Sequence, residues 1–143
     1  MAKVFRVCGA AAADAGTSIR MRTKMKSDYL TNDEFFINSV NFMQQEAWKN
    51  SENHGWDEAI ENPASALMMI TREVSELAEE ERDADSGEST KIPGFSKREE
   101  EAADILIRLL SYCGARKYRL AEAVVAKHKY NQDRPYRHGG KLF

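Results

Sequence analysis

The chain has 143 residues and a formal net charge of −2, so its length points to one domain and its charge supplies no broad basic field for nucleic acid or an anionic membrane. The composition is that of an ordinary globular protein rich in charges of both signs, and no apolar run is long enough to span a bilayer, so a cytoplasmic protein is expected. Cys8 and Cys113 lie far apart and offer neither a disulfide framework nor zinc spacing; Cys113 falls in an apolar run and reads as a reduced core residue.

Residues 1–26 begin with a short apolar run broken by Arg6 and continue rich in Arg, Lys, Ser and Thr. They weakly resemble a transit peptide, but the preferred reading is a disordered tail, with Met21 and Met25 placed as alternative starts. The domain is taken as 27–143. Its first helix opens at Thr31-Asn-Asp-Glu34, a capping box, with Leu30 and Phe35 positioned as a hydrophobic staple. Phe36, Val40, Met43 and Ala47 form an apolar stripe, and the helix should fade between Asn50 and Asn53, before a turn at Gly55.

A second helix is expected from Asn62-Pro63, a good N-cap followed by proline at the first helical position. Leu67, Ile70, Val74 and Leu77 would be its buried stripe, with Glu73 at the edge and Glu76 further round. Asp83 to Gly94 reads as loop. Ser96-Lys-Arg-Glu99 is a second capping box and starts a third helix, apolar almost throughout from Ala102 to Cys113. Its main stripe is Ile105, Leu106, Leu109, Leu110 and Cys113, so it should be buried on more than one side. A fourth helix should run from Leu120 to about Arg134, where Pro135 stops it. No strand-period segment is present, and the fold class expected is all-α with about four helices.

Two acid pairs carry the chemistry: Glu73-x-x-Glu76 and Glu101-x-x-Asp104. At a spacing of three on a helix, two carboxylates share a face with Cβ atoms about 5–6 Å apart. Two such helices side by side would gather four carboxylates, which require cations; a hard oxygen-seeking dication such as Mg²⁺ fits best, with Mn²⁺ as its substitute. One such pair alone is usually a solvated face. Helical angle works partly against the idea, because Glu101 and Asp104 point away from the main apolar stripe and so should face solvent, a partner subunit or a second pocket. A di-iron site is rejected, since none of His54, His128 and His138 has Glu three positions before it.

Lys127, Asn131 and Arg134 fall on one polar stripe, either a solvated basic face or a phosphate-recognition surface. His138, Gly139, Gly140 and Lys141 could fold over a polyphosphate. Trp48, His54 and Trp56 are core residues by default, and also the best flat surfaces for stacking a base.

The runs E73-V-S-E76, E101-A-A-D104 and K127-x-x-x-N131-x-x-R134, with the ending R134-P-Y-R-H138-G-G-K141, resemble the MazG-type all-α nucleoside triphosphate pyrophosphohydrolases, over about residues 31–141. The resemblance implies an antiparallel helical bundle completed by a second subunit, as a homodimer or homotetramer. It implies that Glu73, Glu76, Glu101 and Asp104 hold Mg²⁺, and that a (deoxy)nucleoside triphosphate is cleaved to the monophosphate and pyrophosphate. It assigns phosphate and sugar contacts to Lys127, Asn131 and Arg134, and base contacts to Trp48 and Trp56. Glu76 is expected to accept a proton from the attacking water, while Lys127 and Arg134 offset charge on the departing pyrophosphate. The rival readings are a non-catalytic helical interaction module, and a related pyrophosphohydrolase acting on a phosphoribosylated nucleotide.

Overall fold

The computed structural model describes residues 31–135, and the chain is all-α over them. Five helices follow in order: α1 (Asn32–Asn53), α2 (Glu58–Glu61), α3 (Pro63–Arg82), α4 (Lys97–Ala115) and α5 (Leu120–Gln132). The expected tail at 1–26, the Leu30 half of the staple, Cys8, His138 and Lys141 lie outside the described residues.

Local chemistry sets the helix ends. The Asn62 side chain accepts from the Ser65 amide at 3.2 Å, and Pro63 occupies the first turn of α3. At α4 both arms of the capping box form: Glu99 N–H donates to Ser96 Oγ at 3.2 Å, and Ser96 N–H donates to the Glu99 carboxylate at 2.7 Å. Gly55, at φ 74°, closes α1, its amide bonding to Glu52 O while the Trp56 amide reaches Ser51 O. The same two-bond closure ends α4 without glycine. Lys117 takes φ 55°, its amide bonds to Gly114 O, and the Tyr118 amide bonds to Cys113 O.

Two features depart from the expected element boundaries. The short helix α2, seeded when Asp57 O accepts from the Ile60 and Glu61 amides, is too brief to carry a periodic pattern. Helix α5 stops at Gln132 rather than at Arg134, because Pro135 disfavours helical geometry in the residue before it.

Helices α3 and α4 pack along one another. They run antiparallel, for Arg98 at the start of α4 donates to Glu80 O and Asp83 O at the end of α3, at 3.0 and 2.7 Å. Helix α1 crosses the far end of α4. There the backbone contact is so close that a Cβ built on Gly114 would lie 2.7 Å from Trp48 Cβ and 2.8 Å from Gln44 O. Polar bonds fasten the same seam: Ser51 and Ser111 hydroxyls share a bond at 2.7 Å, and Gln44 Nε2 donates to Tyr118 O at 3.0 Å. Cys113 is buried and free, as its apolar setting foretold, and burial pushes its thiol up.

The buried faces of α3 and α4 differ in part from those expected. Leu67 and Val74, assigned to the core, are 45 % and 49 % exposed, whereas Glu73 is 3 % exposed. Leu106 of α4 is 55 % exposed, while Leu110 and Cys113 are buried. Ile70, Leu77, Ile105 and Leu109 are half-buried, so part of each expected row is covered, and the acids of α3 and α4 meet as well. Both helices carry apolar residues on several sides, so hydrophobicity alone does not select the face that packs.

Candidate metal centre and adjoining cavity

Glu73 on α3 and Glu101 and Asp104 on α4 converge, offering carboxylate oxygens that all lie within 4.8 Å of one another. The angular objection is thereby corrected. Glu101 and Asp104 lie off the apolar row of α4, and the face they occupy is the one turned to Glu73. Burial, followed by the charge of Glu76, raises the Glu101 carboxyl above its ordinary range. One Glu101 oxygen, Oε2, is buried with no hydrogen-bond partner.

Glu76 stands beside this trio rather than in it. Its carboxylate accepts from Arg72 Nε at 2.7 Å one turn earlier, and that bond holds the carboxyl below its usual range. The fourth acid is therefore neutralised locally in this conformation, although its charge is still felt at Glu101.

Two cations border the acids, and the sequence reading had singled out neither. Arg108, one turn beyond Asp104, places Nε 2.7 Å from Glu73 Oε1. A carboxylate as buried as Glu73 needs such a partner. Lys91, in the loop between α3 and α4, pairs with Glu100, and that bond, ahead of the charges of Asp104 and Glu101, raises its ammonium. Ser89 also donates to Glu100, and the Ser89 hydroxyl in turn accepts from the Lys91 and Ile92 amides at 3.0 Å. The loop is thus folded onto the start of α4 instead of hanging free. A polar arginine inside the run Ile105–Leu110 was the one signal available for Arg108. Lys91, in a loop of mixed polar residues, left none.

A cavity of about 500 Å³ opens next to the acids. Asp104 and Arg108 form its charged wall, Trp56 and Tyr112 supply aromatic surface, and Ser65 and Ser111 add hydroxyls. Trp56 therefore joins the acid cluster through this space. His54 stacks on Trp56 with ring centroids 5.5 Å apart and an interplanar angle of 27°, while its Nδ1 lies 2.7 Å from Asn50 O. Trp48 is placed elsewhere, packed over Gly114 at the α1–α4 seam.

The basic stripe is not brought to this cavity within one chain. Lys127 and Arg134 both lie over the Tyr130 ring, at 4.5 and 5.8 Å from its centroid, and Asn131 is exposed beside them. Among the described residues, then, the acids, Trp56 and Arg108 form one constellation, and Lys127, Asn131 and Arg134 form another. No family model, curated protein or solved structure matches this chain.

Proposed function

We propose that the protein is a divalent-cation-dependent hydrolase of nucleoside triphosphates, releasing the monophosphate and pyrophosphate, in the manner of the MazG-type enzymes its acid motifs resemble. The observation that carries this reading is the convergence of Glu73, Glu101 and Asp104, two of them motif acids on α4 and one on α3. The donor set fits a hard dication: all-oxygen, multiply anionic, and holding an unpartnered buried oxygen at Glu101. Glu73, Glu101 and Asp104 would hold Mg²⁺ or Mn²⁺, with Glu76 able to join if it exchanges Arg72 for the ion. When bound, the ion would supply charge neutralisation at the phosphates and a more acidic water.

The chain's own residues divide the remaining work. Trp56 and Tyr112 line a cavity with room for a base and sugar. Glu76, exposed enough to meet solvent, is the residue assigned to take the proton of the attacking water. Lys127, Asn131 and Arg134 are assigned to the polyphosphate. Because they stand apart from the cavity in one chain, that role requires a second copy whose stripe reaches over the first. The exposed apolar residues of α1, α3 and α4, among them Phe42, Met68, Val74 and Leu106, are in keeping with a homodimer or homotetramer.

The test is pyrophosphate release from each common nucleoside triphosphate with Mg²⁺, comparing the natural chain with Asp104→Asn. The variant should keep its helical circular dichroism and lose turnover by at least about a hundredfold, the range for displacing an essential charged group. Full turnover in that variant would refute the site assignment. If the natural chain turns over no nucleotide and Mn²⁺ leaves its melting temperature unchanged, a plain interaction module is the better description.

A further inference from the structure

Glu73 is the deepest acid of the trio, and it is already paired. Arg108 holds it at 2.7 Å, yet Arg108 is 41 % exposed and forms part of the cavity wall beside Asp104. The guanidinium therefore stands at a junction, with the acid cluster on one side and the open cavity on the other. A dication among Glu73, Glu101 and Asp104 would compete with Arg108 for the same carboxylate, since two like charges cannot both approach it closely at low cost. Arginine suits the alternative position as well, because its planar fork matches the oxygens of a phosphate.

We propose that Arg108 is an exchangeable counterion: it neutralises Glu73 while the acid cluster lacks a metal, and on metal binding it turns into the cavity to grip the substrate's polyphosphate. The phosphate half of this proposal rests on the hydrolase reading above; the competition half does not. Metal occupancy and phosphate affinity become linked through one side chain. Before a dication arrives, the cavity presents a guanidinium committed to Glu73; afterwards it presents a free anion-binding group. Within the chain neither Lys127 nor Arg134 lines this cavity; both lie over Tyr130.

The experiment uses the full chain, Arg108→Gln and Arg108→Lys, with Mn²⁺ alone as the first probe. In Mn²⁺-free buffer Arg108→Gln strands the buried Glu73 charge and should lower the melting temperature. At saturating Mn²⁺ that deficit should close, because the ion then neutralises Glu73. Calorimetry should show Mn²⁺ binding to Arg108→Gln about tenfold more tightly than to the natural chain, a usual size for coupling between two sites. A structural ion pair predicts the opposite: a deficit that persists at saturating Mn²⁺, with affinity unchanged or weaker. Either result overturns the competition. Should Arg108→Gln fail to fold, Arg108→Lys keeps the charge and the competition, and its Mn²⁺ affinity should stay near that of the natural chain; a tenfold gain there would refute the account.

The second probe is inorganic tripolyphosphate at saturating Mg²⁺, which requires no turnover. Its affinity should fall about tenfold in Arg108→Gln and by less in Arg108→Lys, which keeps the charge but not the fork. Unchanged affinity in both variants would remove Arg108 from the phosphate site. If the natural chain hydrolyses no nucleotide, the hydrolase reading falls, and the Mn²⁺ arm still decides whether Arg108 and a dication exclude one another.

Discussion

Glu101 and Glu76 are both motif acids, yet their surroundings drive them in opposite directions. Burial, then the neighbouring charge of Glu76, raises Glu101, whereas the bond from Arg72 lowers Glu76. A carboxyl raised in the folded state disfavours folding once it ionises. Its contribution to stability is therefore lost as pH climbs from the ordinary glutamate range through the raised folded value. In metal-free buffer the stability of Glu101→Gln relative to the natural chain should accordingly improve as pH rises from acid toward neutral, measured by denaturant titration at each pH. Added Mn²⁺ should restore the natural chain and leave the variant nearly unmoved. A flat difference across that range would contradict the burial of an ionisable Glu101. At this scale the sequence singled out Glu73, Glu101 and Asp104, which the fold brings together, since residue type and spacing are local facts. It did not reveal that Arg72 takes Glu76 or that Arg108 takes Glu73. The first of these is a turn-to-turn pair available to any i, i+4 neighbours, and the second depends on which helix lies alongside.

Among the helices, starts were more legible than faces. Asn62-Pro63 and Ser96-x-x-Glu99 announce α3 and α4 because a cap is chemistry within four residues. Which side of α4 packs is decided by a neighbour, and a helix apolar on several sides gives no preference in its own sequence. Gly114 illustrates the point. In sequence it is only a poor helix former near a helix end; in the structure its missing Cβ is what lets α1 lie against α4. Gly114→Ala should therefore destabilise the fold by about 1–3 kcal/mol, in spite of alanine's better helix propensity, because the obstacles include a backbone carbonyl that cannot rotate aside. Urea unfolding midpoints provide the check. A stabilised variant would mean that α1 and α4 stand further apart than described.

At the scale of the molecule, the interior formed by the described residues is thin. No large side chain among the described residues is fully buried, and the core is made of small residues, Leu110 and Cys113. A helical protein that leaves Phe42, Met68, Val74 and Leu106 in water has surface to spare for another copy of itself. Light scattering should return a mass of at least two chains, and Val74→Glu with Leu106→Glu should lower it toward one chain while the Mn²⁺ response weakens less than the mass. A monomer at high concentration would instead leave Lys127, Asn131 and Arg134 without a route to the acids. The all-α class was readable from the absence of any period-two segment. Apolar rows alone do not separate a core from an interface, because the same rows serve equally for either.

The last helix is fastened differently from the others. Ala121 anchors its start, and near its other end Lys129 reaches Asp33 in the first turn of α1, at 2.5 Å and in contact with solvent. Such a clasp is electrostatic and open to mobile ions, so its grip weakens as the Debye length shrinks. Deuterium uptake by the amides of 125–132 should quicken on going from dilute buffer to molar sodium chloride, while the amides of α3 and α4 keep their pace. Ionic strength thus becomes a handle on the one stretch that carries the lysine–asparagine–arginine stripe.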